Sequence, residues 1–195
     1  MKKGKFPIVL VLGIALIVIS FSMIVVLNVR SYIGADKSRS VIETMQELLP
    51  ERSEGIPEIY ADPSMPVLQI DGVDYVALLE IRSLGALLPI ADKWDSGKLF
   101  VSPARFCGSV YDHTLVIGGV DSTGQFDFCD KIDNGTLVTV TDMTGTQFTY
   151  TVERVDRSKK AENEWLTGTE YDLTLYCRDN YSMEYIAVRC NFVYN

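Results

Sequence analysis

Three spacings of apolar residues follow one another along the chain. The first is unbroken: from Phe6 to Val29 no side chain carries a charge. At about 1.5 Å per residue this run is long enough to cross a hydrocarbon core about 30 Å thick. No small-x-small cleavage site follows it, so the pattern predicts a signal anchor rather than a cleaved leader. Lys2, Lys3 and Lys5 precede the run and predict a cytoplasmic N-terminus, with the rest of the chain on the other side. The second spacing is helical. Val41, Ile42, Met45, Leu48 and Leu49 form one stripe of a helix over Ser38 to Leu49. Ser38 or Ser40 is placed to cap its start, and Pro50 lies just beyond its end. The stripe is expected to pack on the domain that follows. Residues 50–66, with Pro50, Pro57, Pro63 and Pro66, read as a linker or a wrapping arm.

From Val67 the spacing is that of strands. Val67 to Ile70 and Tyr75 to Ile81 flank an Asp71-Gly72 turn and predict a hairpin. Leu115 to Ile117 reads as a short buried strand. Leu137 to Val140 and Gln147 to Val155 flank Thr144-Gly145, and Phe148, Tyr150 and Val152 alternate as a half-buried strand requires. Leu173 to Cys177 and Tyr185 to Val193 close the set. Short strands at this spacing predict a closed barrel or a sandwich. The expected division is residues 1–30 as basic tail and signal anchor, 31–66 as juxtamembrane helix and linker, and 67–195 as the β domain.

Charge and composition narrow the chemistry. The chain has 195 residues and a net charge of −8, and all 26 acidic residues lie beyond Arg30. A surface that binds nucleic acid needs a basic stripe, so no nucleic-acid partner is expected. Four cysteines (Cys107, Cys129, Cys177 and Cys190) show no Cys-x-x-Cys or Cys/His spacing for zinc. Cys107 and Cys129 read as small buried apolar residues, and the disulfide state of all four is left open. His113 is the only histidine, and in Asp112-His113-Thr114 it reads as solvated. Asp121, Asp127, Asp130 and Asp133 fit no calcium loop and read as solvated acids, so no cofactor is expected.

The C-terminal stretch Tyr171-Asp-Leu-Thr-Leu-Tyr-Cys177, followed by Val188-Arg-Cys190, resembles the end of a sortase, a membrane-anchored cysteine transpeptidase of the Gram-positive cell envelope. Other segments resemble the same family in the same order. They are Asp71-Gly-Val-Asp-Tyr-Val-Ala-Leu-Leu-Glu-Ile-Arg-Ser-Leu-Gly85, Pro103-Ala-Arg-Phe-Cys-Gly-Ser109, Leu115-Val-Ile-Gly-Gly119, Phe126-Asp-Phe128 and Asn134-Gly-Thr-Leu-Val-Thr-Val-Thr-Asp142. The resemblance implies an all-β fold. Its centre would be an eight-stranded sortase-like barrel, preceded by a transmembrane helix and a short juxtamembrane helix.

Sortase chemistry uses a cysteine thiolate as nucleophile, a histidine for proton transfer and an arginine to steady the oxyanion. The resemblance puts Val120 at the histidine's place, Arg178 at the cysteine's and Tyr185 at the arginine's. Cys177 stands one residue early, and in a strand that shift sends a side chain to the opposite face. Arg178 next to Asp179 suggests an exposed ion pair, and at the nucleophile's place it would offer a fixed charge to a peptide. Two readings therefore stand. In one the chain is a catalytically degenerate scaffold that binds a sorting-signal-like peptide, a surface protein or an active sortase. In the other it is a transpeptidase rebuilt from Cys177, His113 and Arg189. A glycan-binding role through Trp94 and Trp165 is a third possibility.

Overall fold

The computed structural model describes residues 6–55, 62–95, 101–168 and 170–194. Lys2, Lys3, Lys5 and Pro57 lie outside these residues. The two helical stretches expected from the sequence are one continuous helix, α1 (Phe6–Leu48, 43 residues). Between Val29 and Ser38 there is no proline and only one glycine, Gly34, so nothing interrupts the backbone ladder. Within α1, Ile8–Val26 is exposed throughout and is long and apolar enough to span a membrane. Ser38 is therefore inside the helix, buried against the β domain, and caps nothing. The stripe packs as expected through Val41 and Met45, with Ile42 and Leu49 beside them, on Ile70, Tyr75, Leu78 and Ala104. Leu48, at the helix end, stays exposed. Pro50 disfavours a helical conformation in the residue before it, and the helix ends there.

Among the described residues ten strands follow: β1 (Ser53–Glu54), β2 (Leu68–Ile70), β3 (Val73–Ile81), β4 (Ala86–Ala91), β5 (Ala104–Cys107), β6 (Leu115–Gly118), β7 (Leu137–Asp142), β8 (Thr146–Ser158), β9 (Leu173–Arg178) and β10 (Tyr185–Phe192). Eight of them close a barrel in the order β3-β4-β5-β6-β9-β10-β8-β7, with β7 returning to β3. β1 adds to β8 and β2 to β3 as short edge strands. The β2–β3 turn is the expected Asp71-Gly72 pair, both at positive φ (51° and 73°), as a two-residue hairpin that follows the strand twist requires. The β7–β8 turn is held by the buried Asp142 carboxylate. It accepts from the Thr144 N–H (2.8 Å), the Thr146 N–H (3.0 Å) and the Tyr111 hydroxyl.

Alternation along the strands sorts side chains between an inner core and two outer clusters. Leu79, Ile117, Val140, Phe148, Leu175 and Val188 are among those filling the barrel. One outer cluster lies under α1. The other lies across β6, β9 and β10, where Val116, Tyr176 and Ala187 meet Leu166 of the short helix α2 (Asn163–Leu166).

Candidate functional site

The sequence places its candidate chemistry on β9 and β10, and the pleat decides where each side chain goes. Leu173, Leu175 and Cys177 belong to the inner core. Tyr176 faces outward, and Thr174 meets the outward Arg189 of the neighbouring strand. Cys177 is 1% exposed, and its thiol lies 3.9 Å from the Phe126 carbonyl. The sulfur therefore points into the barrel.

Of the three positions matched to the sortase triad, Arg178 and Tyr185 are cross-strand partners on β9 and β10. The Arg178 guanidinium carbon stands 5.7 Å above the Tyr185 ring, and its Nε donates to the Met183 carbonyl (3.3 Å). Val120 packs with the cluster under α1. Asp179 pairs with Arg157 (3.5 Å) instead of Arg178, because its carboxylate is turned into the β9–β10 turn. There it accepts from the Tyr181 N–H (2.8 Å) and the Ser182 hydroxyl (2.7 Å). Hydrogen bonding to Ser182 and Tyr181 holds Asp179 below the usual carboxylate range.

The remaining candidates, Cys177, His113 and Arg189, are kept apart. His113 is not the solvated residue that its polar neighbours suggested. A left-handed backbone (φ 57°) turns its side chain inward to 11% exposure, edge-on to Phe192 with ring centroids 5.4 Å apart. Its Nδ1 is 3.8 Å from the Asp172 carboxylate. Asp172 lies just before the start of β9 and Cys177 near its end, roughly 15 Å along the strand. Arg189 is 3% exposed. It donates to Asp156 (3.2 Å), Thr174 Oγ1 (3.0 Å), the Leu166 carbonyl (3.1 Å) and the Trp165 carbonyl. The imidazole, thiol and guanidinium thus occupy one end, the interior and the outer face of the barrel.

The outer face of β6, β9 and β10 is covered by the chain's own rings, which the sequence reading did not foresee. Trp94 stacks on Tyr176 with centroids 5.7 Å apart and planes 15° apart, and Phe106 meets both rings edge-on. This plate needs Gly118 beneath it: a Cβ there would lie 2.1 Å from Trp94 Cζ3 and 2.8 Å from Tyr176 Cε1. The signal available in the sequence was the Gly118-Gly119 pair inside a strand run, which marks close approach. At the other end Trp165 covers Arg189, with the guanidinium carbon 5.0 Å from the ring centroid. A surface depression of about 430 Å³ lies beside it, lined by Arg154, Asp156, Trp165 and Tyr171. Two further cavities of about 440 and 490 Å³ flank α1, and neither is lined by Cys177, His113 or Arg189.

Replacing Gly118 with alanine should drive Trp94 off Tyr176 and cost about 1–3 kcal/mol by overpacking. In a Trp165→Phe background the remaining tryptophan emission should shift to the red. Unchanged emission would show that the ring does not depend on this glycine.

Of the four aspartates considered for calcium, Asp121 accepts from the Asn180 N–H (3.0 Å) and Asp130 lies 3.9 Å from Lys131. Burial raises Asp127 above the usual carboxylate range. Among the described residues no group of three or more His, Cys, Asp or Glu side chains is arranged to hold a metal ion. Burial also raises the thiols of Cys107, Cys129 and Cys190 above the ordinary cysteine value.

No protein-family model and no curated protein sequence matches the chain. Solved structures do. Sortase A from Corynebacterium diphtheriae superposes with a TM-score of 0.56 at 19% identity, covering 63% of this chain and 62% of that one. Sortase C1 from Streptococcus agalactiae gives 0.54 at 21% identity, covering 65% and 72%. A Clostridium perfringens sortase C solved with the C-terminal cell wall sorting motif gives 0.51 at 17% identity, covering 60% and 70%. The fold is sortase-like.

Proposed function

We propose that this chain is a membrane-anchored sortase-like protein of the cell envelope that has lost thiol transpeptidation and serves as a peptide- or protein-binding scaffold in surface-protein display. Residues 1–30 act as cytoplasmic tail and single membrane anchor, 31–66 carry the helix extension and linker, and 67–195 form the extracytoplasmic barrel domain. The orientation of Cys177 carries the reading. Acyl transfer requires a thiolate that can reach a peptide carbonyl, together with a proton carrier and an oxyanion donor. Here the sulfur is inside the core, His113 is at the far end of β9, and every bond Arg189 makes is to the fold itself.

Support for peptide binding comes from the outer face. The Trp94–Tyr176–Phe106 stack presents one exposed ring, Trp94 (40% exposed) over the buried Tyr176, and tryptophan is a residue type that anchors binding hot spots. The Clostridium perfringens structure, which contains a sorting motif, suggests the class of ligand: an extended sorting-signal-like peptide. The test is a titration of the full-length protein, in detergent with reductant, against such a peptide. Saturable binding without cleavage is expected, weakened about 10-fold or more by Trp94→Ala, as for a hot-spot residue. A cleavage product that disappears in Cys177→Ala would overturn the reading in favour of a transpeptidase. No saturable binding would remove the peptide role.

A further inference from the structure

Two of the four cysteines meet inside the barrel. Cys177, on β9, and Cys129, in the turn-rich segment between β6 and β7, are each 1% exposed and belong to the same core. Both converge on one backbone atom. The Cys129 N–H donates to the Phe126 carbonyl (3.2 Å), and the Cys177 thiol approaches the same oxygen at 3.9 Å. Burial, and after it the neighbouring Cys177 thiol, push the Cys129 thiol well above its ordinary value. A single buried cysteine is ordinarily a small apolar filler. Two brought together from distant segments are a different arrangement. All four cysteines are free thiols in the structure.

We infer that Cys129 and Cys177 form a disulfide when the chain folds under oxidising conditions, fastening the β6–β7 segment to β9. Residues 119–136 contain no strand or helix, and Phe126, Phe128, Cys129 and Ile132 are their buried anchors in the barrel. A bond from Cys129 to the neighbouring strand adds a covalent anchor to a stretch whose backbone hydrogen bonds around Cys129 are local turn bonds. The oxidant is a small disulfide or the disulfide of a thiol oxidoreductase, R–S–S–R. One cysteine thiolate attacks it, giving a mixed disulfide and releasing one R–S⁻. The second thiolate attacks the protein sulfur of that mixed disulfide and expels the other R–S⁻. Both protein sulfurs are oxidised, the two sulfurs of the oxidant are reduced, and the two protons leave with the R–SH products. Because the site is buried, exchange takes place before the barrel closes, and the finished bond is shielded from reductants. The inference goes beyond the groove reading and is tested by a readout that involves no peptide.

The test uses the full chain in detergent, reduced, opened in urea and refolded in a buffer of oxidised and reduced glutathione. Free thiols are then alkylated under denaturing conditions and the protein is mapped by mass spectrometry without reduction. A linked peptide pair containing Cys129 and Cys177 is expected, lighter than the separate thiol peptides by two hydrogens and released by dithiothreitol. The oxidised protein should melt on the order of 10 °C above the reduced one. Cys129→Ala should abolish both the link and the shift. Recovery of both cysteines fully alkylated after refolding would overturn the inference. So would a link that joins either of them to Cys107 or Cys190.

Discussion

Replacing Arg189 with methionine should lower the unfolding free energy by about 3 kcal/mol, because a buried cation and the donors to two helix carbonyls are lost while Asp156 keeps Arg154. The guanidinium is 3% exposed and uses four of the five N–H donors of its planar fork: Nε on Asp156, Nη1 on Thr174 and the Leu166 carbonyl, Nη2 on the Trp165 carbonyl. Tyr171 and Trp165 stack against it, with ring centroids 5.7 and 5.0 Å from the guanidinium carbon. Methionine matches the stem but leaves Asp156 without this buried cation and two carbonyls of α2 without a donor. Each loss adds to the others, because α2 reaches the barrel through these bonds. Lysine keeps the charge without the fork and should fall between the two proteins, since one ammonium cannot serve three directions. Urea unfolding of the three proteins measures the series. A methionine variant within about 1 kcal/mol of the parent would show that the residue is not needed for folding. It would then be free for other work, and the transpeptidase reading would gain weight.

The fold was legible where local pattern and tertiary environment agree. Phe6 to Val29 has no charge to contradict a spanning helix, and Asp71-Gly72 is a turn that backbone sterics select. Phe148, Tyr150 and Val152 alternate because one face of β8 is core. β4 was not legible. Ala-Leu-Leu-Pro-Ile-Ala is apolar on both faces, since one packs on the barrel interior and the other lies towards α1, so period-two alternation never appears. Pro89 further disguises it. The continuity of α1 was hidden by the polar stretch from Asn28 to Lys37, which signals a loop by composition although it contains no strong breaker.

The site was legible in part for the same reason. A one-residue offset at Cys177 is a statement about parity, and parity can be read from sequence alone. What covers the outer face cannot be. Trp94, Phe106, Gly118 and Tyr176 come from four separate segments, and their stacking follows from barrel closure through the parallel β6–β9 pair. His113 was misread because charged and polar neighbours describe the chain beside it and say nothing of Phe192, which closes over its ring.

Alkylation of reduced Cys177 by iodoacetamide in the folded protein should be at least about 1,000-fold slower than in urea, equivalent to an opening free energy of about 4 kcal/mol or more. Side-chain access is decisive here, because reagent reaches the sulfur only when β9 separates from its neighbours or the Phe126–Cys129 segment lifts away. The rate should therefore rise with denaturant in step with local unfolding, and Cys107, which is only partly buried, should label first. A sortase nucleophile would behave in the opposite way. Its thiolate must be exposed and formed at neutral pH, so it would label fastest in the folded state and well below pH 8, and unfolding would slow it. The two behaviours differ in the sign of the denaturant dependence, which does not depend on knowing a peptide substrate. Rapid labelling of Cys177 in the native protein, slowed by urea, would place the sulfur on the outer face and restore the enzyme.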